Sequence, residues 1–372
     1  MASKNPKSAP KMEQLKAYIR DRIANESLKP HDRLPSRNEL ISLLGISETT
    51  VRKALTALEA ENVIYLQQGK GAFVAERKVK CQRIAMLVPT FGGIDRWLTS
   101  IVRSAQNEAR KHNANMVLYI TDSNPEIERS DLLNIVENGA DAAVIFYTGG
   151  IVNIDCLNLL KEHGIPFVLM DCYESQVDTD YIVSDNFNGA YRAIKLMIEH
   201  GYQEIWHFTY ANVRSSVTER MCGYKAAMDE IGAYDEHKVV RAPYGLPDYW
   251  SVMESKVKEI SESSTQRIGI FAVNGIELSA IYHMLSEHNV NLSNFAFACF
   301  DTTPIQRPES SLFIQVRQAE DTIGRTCIRL MIEKLTGSTG TRHLILQPEI
   351  SVINANYEQA NSPLSEAAPS LS

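Results

Sequence analysis

From Arg83 to about residue 300, short apolar runs alternate with segments of helical periodicity, and few folds accommodate that pattern. The runs cover residues 84–88, 116–120, 142–146, 167–170, 182–183, 205–208, 268–271 and 295–300. The helical segments between them cover 98–112, 126–138, 189–200, 219–231, 249–261 and 278–287. Such alternation predicts an α/β architecture of parallel sheets flanked by helices. The runs are nearly continuous rather than alternating, which suits strands buried on both faces. Ligands in such sheets bind beyond the carboxyl ends of the strands. The polar residues that follow strands are therefore the ones to watch: 89–97, Tyr147, Asp171, 210–220, Asn274 and Asp301.

A different pattern occupies residues 34–75. Ser36 stands three residues before Glu39, the spacing of a capping box. Leu40, Leu43 and Leu44 then mark the apolar face of a short helix, and Gly45 supplies the left-handed turn that ends it. Ser47 caps a second helix with Val51, Ala54, Leu55 and Leu58 on one face and Glu48, Thr49, Arg52 and Lys53 on the other. Two short helices joined by a tight turn, the second starting with polar side chains, describe a helix-turn-helix. Strands over 63–66 and 72–75 around Gln-Gln-Gly-Lys-Gly predict a β-hairpin wing. An amphipathic helix over 11–25, with Leu15, Ile19 and Ile23 inward, would pack across the pair.

Charge agrees with that division. The net charge is −7, yet residues 1–80 hold 15 Lys and Arg against 9 Asp and Glu, and the rest holds 23 against 36. A basic module on an acidic body attracts a polyanion at one end only. At 372 residues the chain has material for two or three domains. It shows no apolar run of transmembrane length, and its first residues lack the apolar core of a signal peptide. Six scattered cysteines without a CxxC pair argue against a disulfide framework or zinc site and fit a reducing cytoplasm. No HExxH, GxSxG, Walker A or GxGxxG element stands in its required context, so no catalysis and no cofactor are expected.

Residues 11–76 resemble the winged helix-turn-helix of the GntR family of bacterial regulators. The matches are Leu34-Pro35-Ser36, Glu39-Leu40, Leu44-Gly45, Ser47, Thr49 to Arg52, Ala54-Leu55, Leu58, Gly69-Lys70-Gly71 and Phe73-Val74. Three positions depart from the family: Arg37 stands where an acidic residue is usual, Glu48 where Arg is frequent, and Ala72 where the wing has Thr. Residues 82–357 look like the periplasmic-binding-protein-like effector domain of LacI/GalR-type repressors. The matching stretches are Ser184 to Ala190, His200-Gly201-Tyr202, Arg220 to Tyr224, Val273-Asn274-Gly275, Phe300-Asp301, Val316-Arg317-Gln318 with Ile323-Gly324, and Leu344 to Glu349. The combination is similar to regulators of the arabinose-repressor type. A LacI-type hinge helix is not recognisable between Ala75 and Arg83.

The expected organisation follows from these resemblances. It is a disordered tail (1–10), a winged helix-turn-helix (11–76), a linker (77–82), a two-lobed effector and dimerisation domain (83–357) and a flexible tail (358–372). Lobe 1 is expected at about 83–184 and 317–338, and lobe 2 at about 185–316 and 339–357. For DNA, Arg52 is the main candidate for reading a guanine edge, with Ser36, Ser47, Thr49, Thr50 and Lys53 near phosphates and Arg37 beside them. Glu48 either accepts from a cytosine amine or pairs with Arg37 or Arg52. Gly69 and Lys70 at the wing tip would approach the minor groove and a phosphate.

For the ligand, the resemblance implies Arg220, Asn274, Asp301 and Asp171 in the cleft. Trp250 is carried by a short stretch similar to a sugar-stacking one, and Phe91, Trp97 and Tyr147 follow strands. Each also has a plainer role: an Asp may only cap a helix, an Arg may only bridge lobes, and a Trp may only fill core. The reading is a cytoplasmic, homodimeric transcriptional regulator, a repressor of operator DNA controlled by a sugar-like effector, with no membrane association. The alternatives are a sugar-binding transport or sensor protein, and a GntR-type reader fused to an enzyme-like domain.

Overall fold

The computed structural model describes residues 11–24, 27–29, 31–61, 63–67, 70–75, 82–90, 96–148, 151–211, 214–243, 247–262, 267–288, 290–303, 305 and 311–353. Two compact units result, divided after Cys81.

The first unit contains helices α1 (Lys11–Ala24), α2 (Arg37–Leu44) and α3 (Glu48–Ala60), then the antiparallel strands β1 (Ile64–Gln67) and β2 (Gly71–Val74). The local signals act as expected. Glu39 N–H donates to Ser36 Oγ while Ser36 N–H donates to Glu39 Oε2, closing the capping box. Gly45 adopts φ +60°, a left-handed turn in which a Cβ would be strained. Lys11 Nζ donates to the Gly45 carbonyl at 2.8 Å, tying α1 to the turn. Val51, Ala54, Leu55 and Leu58 are buried against Leu15, Ile19 and Leu40. Leu43 corrects the expected face of α2: it is 58% exposed, because the core contacts of this short helix come from Leu40 and Ile41 with Leu44 at the edge.

The second unit is a pair of lobes, each a six-stranded sheet with helices on both sides. The lobe 1 order is β13-β7-β6-β5-β3-β4: His343–Leu346, Asp180–Ser184, Phe167–Met170, Ala142–Ile145, Gln82–Val88 and Ala114–Ile120, all parallel. The lobe 2 order is β14-β12-β11-β10-β8-β9: Glu349–Ile353, Leu312–Arg317, Phe295–Phe300, Ile268–Ala272, Glu204–Tyr210 and Val239–Ala242. Here β14 alone runs antiparallel. Helices α4 (Arg96–Lys111) and α11 (Glu320–Leu335) cover one face of the first sheet, and α5 (Pro125–Glu137) and α6 (Ile154–Glu162) the other. In lobe 2, α7 (Asn186–Glu199) and α8 (Ser215–Glu230) lie opposite α9 (Tyr249–Glu262) and α10 (Gly275–Glu287).

All eight expected runs are strands, whereas β9, β12, β13, β14, α6 and α11 had no periodicity-based expectation. One boundary is corrected. The return to lobe 2 expected at about 339 comes after β13, because β13 pairs with β7 through His343 opposite Tyr181. The chain therefore crosses between lobes at 184–186, 317–320 and 346–349. Hydrogen bonds link these crossings: Ser184 Oγ donates to Gln318 Oε1 at 2.5 Å, and Gln347 Nε2 donates to Asp185 Oδ2 at 2.7 Å.

Candidate functional sites

In the first unit, α3 presents an open polar face. Ser47 Oγ accepts from Thr50 N–H at 3.3 Å and lies 2.8 Å from Thr50 Oγ1. Glu48, Thr49, Arg52 and Lys53 are exposed, with Ser36 and Arg37 exposed at the start of α2 and Lys70 at the wing. Glu48 makes no ion pair with Arg37 or Arg52 among the described residues, so its carboxylate is available to a partner outside the chain. Gly69 lies outside the described residues. Beneath the wing, Tyr65 stacks on Phe73 with centroids 5.4 Å apart. Arg33, which the sequence did not single out, forms a β-bridge with Phe73 and lays its guanidinium against Gly71.

In the second unit, a cavity of about 160 Å³ opens at the carboxyl ends of the strands, lined by residues of both lobes. Trp97, Asp171, Arg220, Asn274 and Asp301 line it as the sequence implies. Trp97 meets Phe146 edge to face, with centroids 6.0 Å apart, which gives lobe 1 an aromatic wall.

Arg220 is the most constrained of these side chains. Its Nε donates to Asn186 Oδ1 at 2.8 Å, its Nη1 to the Val273 carbonyl at 2.7 Å, and its guanidinium lies 3.8 Å from the Phe300 ring centroid. Gly223, one helical turn on, makes this depth reachable. A Cβ there would lie 2.3 Å from the Phe187 carbonyl oxygen, so α8 approaches α7 more closely than any larger residue allows.

Asp171 and Asp301 end equivalent strands of the two lobes, and both take left-handed backbone conformations, φ +69° and +64°. Asp171 accepts from Ser216 Oγ and Asp301 from Gln318 Nε2, the latter at 2.8 Å. Burial pushes the Asp171 carboxyl upward, while the charges of Arg220 and Arg214 pull it down.

Asn274 caps α10 by accepting from the Ile276 and Glu277 amides, and its Nδ2 donates to Tyr210 Oη at 2.8 Å. Tyr210 in turn donates to Glu277 at 2.9 Å, and Tyr249 donates to the other oxygen of that carboxyl. Burial pushes Glu277 up to about 7, with the Tyr210 bond acting downward.

Two expected ligand residues are elsewhere. Tyr147 is buried among Leu132, Leu157 and Leu169 on the far side of the sheet, because successive residues leaving a strand face opposite ways. Its neighbour Phe146 lines the cavity instead. Trp250 is 57% exposed at the start of α9, its ring edge-on to Tyr249, and does not line the cavity. Phe91 lies outside the described residues. The sequence did not select Arg96, Arg214 or Tyr210 individually, although each fell within a stretch flagged for following a strand.

Residues 11–74 match the family described as bacterial regulatory proteins, gntR family. Residues 83–254 match the periplasmic binding proteins and sugar binding domain of LacI family. The arabinose metabolism transcriptional repressor of Geobacillus stearothermophilus is 23% identical over 95% of this chain and 99% of its own length. The repressor of the same description from Halalkalibacterium halodurans is 26% identical, over 51% of this chain and 53% of that relative. Among solved structures, a LacI family regulator from Enterococcus faecium with bound ribose superposes with a TM-score of 0.61 at 20% identity, covering 73% of this chain and 97% of that one. The chain thus joins a gntR-family helix-turn-helix domain to a LacI-type periplasmic-binding-protein-like domain.

Proposed function

We propose that this protein is a cytoplasmic transcriptional repressor that binds double-stranded operator DNA as a homodimer and is controlled by a small polyhydroxylated effector. The observation that carries the effector half is the cavity between the lobes, where the Trp97–Phe146 wall faces arginine, carboxylate, amide and hydroxyl groups. That mixture suits a sugar, whose ring faces are apolar and whose rim is polar. The names of the relatives and the ribose in a similar fold support the same class.

At the DNA end, Arg52 reads a base edge, Ser36, Arg37, Ser47, Thr49, Thr50 and Lys53 hold backbone phosphates, and Glu48 reads a cytosine amine. Gly69 and Lys70 place the wing at the minor groove. At the cleft, Asp171, Arg220, Asn274 and Asp301 set the lobe geometry around the effector. The effector changes operator affinity only through its different affinity for the two lobe arrangements.

Deleting residues 1–76 tests the division of labour. Operator binding in a mobility-shift assay should vanish, and a ligand-induced rise in melting temperature should persist. Loss of both contradicts separable modules.

A further inference from the structure

We infer that Tyr173 and Glu219 form a clasp between the lobes that sets how tightly the effector is held. Both are positioning residues, since neither side chain lines the cavity. This rests on the reading that the cleft holds the effector.

Helix α8 opens with Ser215 and Ser216, and Glu219 stands one turn after Ser215 on the same face. The segment of lobe 1 that leaves β6 meets all three. Ser216 Oγ donates to Asp171 Oδ2 at 3.3 Å, Tyr173 N–H donates to Ser215 Oγ at 2.8 Å, and Tyr173 Oη donates to Glu219 Oε1 at 2.8 Å. Four residues of helix rise about 6 Å. One tyrosine therefore spans the turn, its amide at one end and its hydroxyl at the other.

Each side of the clasp is held by its own lobe. The Tyr173 ring stacks on Tyr181 with centroids 4.7 Å apart, and Tyr181 stacks on His343 at 4.1 Å, a column that runs over β7 and β13. The hydroxyl thus reaches lobe 2 from a fixed ring. Burial and the bond to Glu219 push it up to about 12, so it remains a donor at neutral pH. On the other side, Glu219 Oε2 accepts from Asn186 Nδ2 at 3.4 Å, and Asn186 Oδ1 accepts from Arg220 Nε at 2.8 Å. Asn186 Nδ2 also donates to the Ser184 carbonyl at 2.9 Å, where the chain crosses between lobes. The clasp is continuous with that crossing and with the buried arginine of the cavity.

The cavity needs both lobes brought together, and the clasp favours that arrangement without touching the ligand. Apparent affinity scales with the population of the competent arrangement. Losing the Tyr173 hydroxyl lowers that population while every cavity-lining side chain keeps its identity. By linkage, operator affinity without effector then moves opposite to the way the effector moves it.

The test uses the full-length protein. Thermal shift against L-arabinose, D-ribose, D-xylose, D-galactose and D-glucose selects the sugar that binds the parent, and calorimetry measures it on the variants. Tyr173→Phe, which keeps the ring stack, and Glu219→Ala should each weaken that sugar by about fivefold or more. The double variant should bind no more weakly than Glu219→Ala, because both changes remove one contact. Glu219→Gln keeps an acceptor and should retain more affinity than Glu219→Ala. Without sugar, the amide of residue 173, which donates across the lobes, should exchange hydrogen about fivefold faster or more in both variants. Amides of β5, in the core of lobe 1, should keep their rates. An operator selected from random DNA should bind the sugar-free variants with affinity shifted opposite to the effect of sugar on the parent.

Three results overturn the inference: unchanged sugar affinity in both single variants, additive losses in the double variant, or exchange that accelerates equally at β5 and at residue 173. If no sugar binds the parent, the sugar reading above fails by itself, and exchange at residue 173 together with operator affinity still decides the clasp.

Discussion

Replacing Glu277 with Gln should flatten the pH dependence of stability. The Glu277 carboxyl is 3% exposed, and its folded-state value of about 7 stands above the ordinary 4.5. The folded protein therefore holds this proton more tightly than the unfolded chain does. The stabilisation is complete below about pH 4.5 and is lost as pH rises through 7. At about 1.4 kcal/mol per pH unit, the loss amounts to at most ~3 kcal/mol by pH 8, about 2 of it between pH 5 and 7. Donation from Tyr249 as well as Tyr210 favours the carboxylate and makes this an upper bound. A Gln keeps an acceptor for one tyrosine and offers its amide to the other's oxygen. Urea denaturation of the parent and Glu277→Gln at pH 5, 6, 7 and 8 reads the difference directly. The variant should gain about 2 kcal/mol on the parent across that range. A constant difference between the two would refute the account of Glu277.

Other perturbations separate the remaining parts. Arg220→Met removes a buried cation and strands the Val273 carbonyl and Asn186 Oδ1, so chemical denaturation should show a loss of about 3–5 kcal/mol; a loss under about 1 kcal/mol would contradict the bridging geometry. Gly223→Ala forces a Cβ into the Phe187 backbone and should cost about 1–3 kcal/mol while weakening ligand binding, because α8 moves and carries Arg220 with it; unchanged calorimetric affinity would show that the α7–α8 approach does not position Arg220. Glu48→Arg should change which operator variants are preferred in a selection from random DNA, and an unchanged preference would remove Glu48 from base reading.

The reader was almost wholly legible because its signals are local. Ser36 with Glu39, Gly45, Ser47 and the spacing of Val51, Ala54, Leu55 and Leu58 each determine geometry within a few residues. Leu43 escaped because eight residues of α2 touch the core on too narrow a stripe for three leucines. The strands of the body were legible from apolar runs, but β13 was assigned to the wrong lobe. Its pattern of alternating exposure names no partner, and β7 lies some 160 residues away.

The cleft was half legible. Asp171, Arg220, Asn274 and Asp301 came from the resemblance, whereas choosing Phe146 over Tyr147 required knowing which face of the sheet each residue leaves from. Trp250 failed because a short motif does not fix the start of α9 relative to the cavity. The Tyr210–Glu277–Tyr249 cluster was invisible, since it joins β8, α10 and α9 from distant parts of the chain.

The central claim is that ligand occupancy of the cleft and DNA occupancy of the reader are one linked equilibrium. The direct measurement is the operator dissociation constant by fluorescence anisotropy, with and without saturating effector. It is paired with the effector's dissociation constant with and without operator. The account predicts changes by the same factor in both directions, on the order of 5- to 150-fold. An operator affinity that stays constant while the cleft fills would contradict it.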